Sequence, residues 1–216
     1  MKIKKRITQL IFVLVFLVLI ISCSRSKPEI LFGFVKLVMY QGDQYPQEHL
    51  TFFVMVDDED GIENLDRLYI YHDREQLRWS IQSDEWVVLD DSGRYWIGTR
   101  SITIRDDIIP KGVYRAVLIN KGGESTERSF TFDGNVLYSF PEITISDDIY
   151  NIESEWPVNR LVAFDRNGSY IATTLLTSLS GNISQLRLPS SARSVALWAE
   201  DEDNFCSAFT NAVSIR

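Results

Sequence analysis

Carboxylates are the most frequent chemically capable groups in this chain, and they come in clusters: Asp57-Asp58-Glu59-Asp60, Asp84-Glu85, Asp90-Asp91, Asp106-Asp107, Asp147-Asp148 and Asp201-Glu202-Asp203. Hydrolysis of a glycosidic bond needs two carboxyl groups facing each other across the sugar, roughly 5 to 10 Å apart. Neighbouring residues of a strand point to opposite faces, so no doublet forms such a pair by itself. The clusters fall where strands are expected to end, which suits solvated turn residues. Calcium binding is a second chemistry open to the first cluster. With Gly61 at the sixth position of an EF-hand loop, Val56 would stand at the first position and Arg67 at the twelfth. Both positions require oxygen donors, so that loop fails. A looser calcium site on Asp57, Asp58 and Asp60, completed by a carboxylate from a neighbouring loop, stays open beside a plain acidic turn capped by Gly61.

Other ligands and nucleophiles are few. The two histidines, His49 and His72, and the two cysteines, Cys23 and Cys206, match no zinc-ligand spacing. Asp73 follows His72 and could orient it, but no Gly-x-Ser-x-Gly elbow supplies a serine nucleophile. No glycine-rich phosphate loop is present either. The histidines read as surface or edge residues, no catalytic set is assembled, and no cofactor is expected. Tyr69, Tyr71, Trp79, Trp86, Tyr95 and Trp96 crowd into residues 69–96. Flat aromatic faces bind sugars and peptides, and Trp is favoured at interaction hot spots. Large aromatics also fill the space between packed sheets, so Trp79, Trp86 and Trp96 are candidates for either role.

The amino terminus carries a different chemistry. Met1 to Arg6 is a basic head, Leu10 to Ile21 is an unbroken apolar run of 12 residues, and Ser22 to Pro28 is polar. A helix needs about 20 apolar residues to span a bilayer core, so this layout is that of a secretory signal. Ile20-Ile21-Ser22-Cys23 resembles the lipobox of bacterial lipoproteins, in a form that suits a spirochaete. The resemblance implies cleavage before Cys23, a diacylglycerol on its sulfur and an acyl group on the new amino terminus. One acyl chain holds a protein to a membrane marginally, whereas two or three hold it firmly. The membrane is therefore the expected partner of Cys23. Ser24 is not the Asp that retains many enterobacterial lipoproteins in the inner membrane, so inner and outer membranes and the side faced stay open.

The first 22 residues hold four of the 22 basic residues and none of the 30 acidic ones, so the chain from Cys23 onward has a net charge of −12. Such a surface repels phosphate backbones and disfavours nucleic acid. With Cys23 acylated, Cys206 has no partner for an intrachain disulfide. It reads as a packed thiol in a strand-like stretch.

Almost every regular segment after residue 28 reads as strand: Val35 to Tyr40, Leu50 to Val56, Leu68 to Tyr71, Trp86 to Leu89, Tyr95 to Thr99, Val113 to Ile119 and Ser129 to Phe132. Leu68 and Ile70 alternate with Tyr69 and Tyr71, putting the aliphatic pair on one face. Asp90-Asp91-Ser92-Gly93, Asn120-Lys121-Gly122-Gly123 and Asn167-Gly168 are hairpin connections. Seven short strands between residues 29 and 133 predict an all-β sandwich. Pro110-Lys111-Gly112-Val113-Tyr114-Arg115-Ala116, followed by the turn at Asn120 and by Phe130-Thr131-Phe132, resembles the last hairpin of bacterial immunoglobulin-like and fibronectin-III-like domains. The resemblance implies that Tyr114 is the corner tyrosine. Residues 141–216 form a second, smaller β stretch, with strands at Leu161 to Arg166, Ser169 to Thr174, Val195 to Ala199 and Phe205 to Phe209. It is too small to bury much core alone and is expected to pack on the first.

Three functions remain open. The first is a non-catalytic, lipid-anchored envelope protein whose β modules bind a protein or glycan. The second is an envelope enzyme acting on glycan, with Glu85 and Asp57 or Asp60 converging beside Trp86. The third is a structural spacer.

Overall fold

The computed structural model describes residues 26–104 and 108–215, so Cys23 and Asp106-Asp107 lie outside the described residues. Eight strands build the first half: β1 (Glu29–Tyr40), β2 (Gln47–Asp57), β3 (Leu65–His72), β4 (Leu77–Gln82), β5 (Val87–Asp91), β6 (Arg94–Ile102), β7 (Gly112–Asn120) and β8 (Ser125–Phe132). They pair in the orders β1-β2-β6-β5 and β4-β3-β7-β8. That is an immunoglobulin-type sandwich, with four strands on each side. Period-two patterning drives the packing of the two layers. Leu68 and Ile70 of β3 and Tyr114, Ala116 and Leu118 of β7 point inward and are fully buried. They meet Leu50, Phe52, Val54 and Ile97 from the facing sheet in one apolar cluster. Each of the Leu, Ile, Val and Phe side chains contributes roughly 1.5 to 3 kcal/mol on leaving water.

Turn chemistry sets the register. Ser92 and Gly93 both have positive φ, 55° and 83°, as a two-residue turn between right-twisted strands requires. The Asp90 carboxylate accepts the Gly93 N–H at 2.9 Å and holds the turn closed. Strand β4 has no counterpart in the sequence reading. Its turn from β3 runs through a short 3-10 segment, Asp73–Glu75, and left-handed Gln76, with none of the usual glycine or Asn-Gly signal.

Tyr114 takes the corner role that the resemblance implies. Its hydroxyl donates to the Pro110 carbonyl at 2.7 Å, and its ring packs among His72, Trp79, Phe52 and Phe132. Burial pushes the hydroxyl far above an ordinary phenol pKa. Tyr114→Phe, which keeps the ring and leaves the carbonyl without its donor, should lower stability by about 1 to 3 kcal/mol. A urea midpoint equal to wild type would show that the corner bond contributes nothing.

The second half adds β9 (Glu142–Ser146), β10 (Ile149–Glu153), β11 (Val158–Phe164), β12 (Tyr170–Leu175), β13 (Ser180–Asn182), β14 (Ser194–Asp201), β15 (Cys206–Phe209) and β16 (Val213–Ser214). β13-β10-β9 form a three-stranded sheet. The other strands do not make a separate sheet. β15 lies beside β1 in parallel, from Leu37 opposite Cys206 to Tyr40 opposite Phe209. The result is one nine-stranded sheet, β12-β11-β14-β15-β1-β2-β6-β5, with β16 on β14. Trp156, Ala199, Cys206 and Ala208 therefore pack into the first core, while Tyr150, Leu161, Val195 and Leu197 head a second.

On the sheet face away from both cores, the seam is bridged by Glu200. Its carboxylate pairs with Lys36 of β1 and Arg160 of β11, and only 8% of its side chain is exposed. The Trp198 ring lies beside both cations, 6.0 Å from the ammonium and 5.4 Å from the guanidinium. Glu200→Gln should cost about 1 to 3 kcal/mol, because it leaves two half-buried cations without an anion. The loss should shrink when Lys36 is replaced by Met, and equal losses in both backgrounds would show that the pair is not coupled.

Candidate binding surfaces

The acidic loop after β2 is organised by hydrogen bonds. Asp58 accepts from the Asp60 N–H at 2.9 Å, the Ser26 hydroxyl at 3.2 Å and the Asn64 side-chain amide at 3.3 Å. The Asn120 side-chain amide donates to the Ser26 carbonyl at 2.8 Å, so the loop and β7 together clasp the chain ahead of β1. Asp57 is exposed at the end of β2. Among the described residues no three His, Cys, Asp or Glu side chains are placed to hold a metal. Glu85 accepts the Gln82 N–H at 3.0 Å within its own turn. A cleft of about 270 Å³ is lined by Asp57, Asp58, Arg94 and Tyr95 among others, and neither Glu85 nor Trp86 lines it.

Other acidic clusters also serve turns. Asp147 and Asp148 are the two left-handed residues between β9 and β10, with φ of 51° and 65°. Asp201 accepts from the Asn204 side chain at 2.8 Å, and this bond holds its carboxyl below the usual range. Asp58→Ala should lower stability by about 1 to 2 kcal/mol, and the loss should be the same in EDTA as in calcium. A loss seen only with calcium would assign the loop to metal binding instead.

His72 is not a surface residue, as the sequence reading had it. It stands two residues after Ile70, in phase with Leu68 and Ile70, and so points inward, fully buried. Its Nε2 donates to the Lys111 carbonyl at 3.2 Å, and its Nδ1 accepts the Glu75 N–H at 3.3 Å. A Cβ on Gly112, where φ is 136°, would lie 3.0 Å from Nε2. His49 is half-buried against the Tyr40 ring at 4.8 Å, and burial lowers its pKa. Cys206 is a free thiol with no exposed surface, its pKa pushed up to about 11 by burial.

The six aromatics of residues 69–96 are divided among three places. Trp86 is core, and Trp79 leans inward, its indole N–H donating to the Thr103 carbonyl at 3.2 Å. Tyr69 and Tyr71 stand on the outer face of the four-stranded sheet. Arg67 and Arg78 each lie 5.8 Å from the Tyr69 ring, and Arg115 lies 4.6 Å from that of Tyr71. Arg115 also pairs with Asp73 and Glu127, and the Arg67 hydrogen bond holds the Tyr69 hydroxyl below its ordinary pKa.

Trp96 and Tyr95 belong to β6, and Trp96 sits on the open face of the nine-stranded sheet. There it is one of a cross-strand row, Phe32-Met55-Trp96-Leu89. The next row is Phe34-Phe53-Gly98-Val87. Phe34 stacks on Phe53 at 5.5 Å and tilts against Trp96 at 5.6 Å. Eight consecutive lattice positions on an uncovered sheet face thus lack any polar side chain. Phe32 is 58% exposed, and Phe34 and Leu89 are each 39% exposed.

No family model matches the chain, and no curated protein sequence matches it. Among solved structures it is similar to Tp47, the 47-kilodalton lipoprotein of Treponema pallidum, with 13% identity and a TM-score of 0.44. That match covers 86% of this chain and 50% of the other, so the chain spans half the length of the Treponema protein. It is also similar to dimeric latent PorU from Porphyromonas gingivalis, with 12% identity, a TM-score of 0.35, and coverage of 88% of this chain and 20% of that one. Murine CEACAM1b matches at 10% identity and a TM-score of 0.27, over 85% of this chain and 99% of its own.

Proposed function

We propose that this protein is a bacterial envelope lipoprotein, held to a membrane by acyl groups on Cys23, whose fused β modules bind a protein or glycan without catalysis. The observation that carries the reading is the signal itself: a basic head, 12 apolar residues and Ile20-Ile21-Ser22-Cys23. Among the described residues no helix is long and apolar enough to cross a membrane. In this reading the acyl groups are the tether, and two or three of them suffice for firm anchoring. What supports binding over catalysis is the use of the carboxylates. Asp58, Glu85, Asp90 and Asp201 each accept hydrogen bonds within their own turns.

Detergent-phase partitioning in a bacterial host tests the anchor. The wild-type chain should enter the detergent phase and incorporate labelled fatty acid, and Cys23→Ala should do neither. Equal partitioning of the two proteins would remove the reading.

A further inference from the structure

We propose that the apolar block Phe32-Met55-Trp96-Leu89 and Phe34-Phe53-Gly98-Val87 lies against the lipid surface to which Cys23 is tethered. The inference rests on the acylation proposed above and goes beyond it, because an anchor alone leaves the protein's orientation free. The uncovered face of an antiparallel sheet is ordinarily polar. Here the block is apolar across four strands, on a chain whose net charge from Cys23 onward is −12.

Tether length identifies the occupant. Ser26 is fastened to the sandwich by Asp58 and Asn120, which leaves three residues from Cys23 to that clasp, at most about 10 Å of extended chain. Phe32 is six residues further on, about 20 Å along an extended strand. A bilayer holding the acyl groups is thus never far from the block. The translational cost of meeting it is already met by the anchor, so a small apolar contact is enough. Chemistry at the rim agrees. Trp96 is of a residue type favoured at membrane interfaces. The exposed Arg128 guanidinium lies 5.8 Å from the Phe32 ring and puts a cation at the edge of the block. Asp57, Asp90 and Asp91 at the strand ends disfavour strongly anionic headgroups, so the matching surface is a zwitterionic one.

The test uses the full chain purified from a bacterial host and reconstituted with phosphatidylcholine vesicles, with Phe32→Cys carrying a polarity-sensitive fluorophore. Cys206 is buried and stays unlabelled. Leu175→Cys is the control, 59% exposed on β12 at the far end of the same sheet. The label at residue 32 should shift to shorter wavelength and lose emission to nitroxide-bearing phosphatidylcholine, and the label at residue 175 should do neither. Vesicle-bound protein whose residue-32 label keeps its aqueous emission overturns the docking and leaves the anchor intact. A shift that follows protein density and resists the lipid quencher assigns the block to a second copy, and also overturns it. Protein that fails to float with vesicles overturns the acylation and the docking together.

Discussion

The parallel pairing of β1 with β15 is the constraint on which the rest of the structure depends. It turns what would be two sandwich halves into layers over one common sheet. Parallel neighbours cannot be joined by a tight turn, so the pairing closes only after the intervening chain has been laid down. The residues at the seam suit it. Cys206 and Ala208 on β15 and Ala199 on β14 are small and fully buried, so the strands sit beneath the first core without displacing Leu37 or Met39. On the other face Glu200 answers cations from both halves. Contacts between the two ends of a chain slow folding, because loop closure precedes any reward from them.

Much of the first half was legible before the structure. The alternation in Leu68 to Tyr71, the hairpin connection within Asp90-Asp91-Ser92-Gly93 and the corner tyrosine are local signals, carried by residues within one turn or strand. What stayed hidden was either non-local or signalled by unusual residues. The β1–β15 ladder leaves no trace in either segment. The β9–β10 hairpin turns on Asp147-Asp148, left-handed without glycine, and therefore resembled another acidic cluster. His72 was readable in principle, since it continues the inward period of Leu68 and Ile70, but its polarity masked the pattern.

The open-face block shows how one residue decides a surface. Register between β1 and β2 shifts between Ile30 and Phe32, leaving Leu31 as a bulge. Arg128 donates to the carbonyls of Ile30 and Leu31 and so accommodates the kink. Without the bulge Phe32 would follow Ile30 into the core. With it, Phe32 and Phe34 turn outward while Val35 and Leu37 turn in. Seven consecutive residues of β2, from Leu50 to Val56, are buried, and Phe34 and Trp96 help cover Phe53 and Met55 on the outer face where a second layer is missing.

The direction of β1 and β15 also has a mechanical consequence. Because the two strands run the same way, a pull on the chain ahead of β1 and an opposing pull beyond β15 act along the strands, in opposite senses. The four paired positions from Leu37–Cys206 to Tyr40–Phe209 would then bear the load together, in shear, instead of peeling one after another. An envelope protein drawn between a membrane and whatever it grips would resist at this seam, and the short β16 pairing on β14 would be the first to yield.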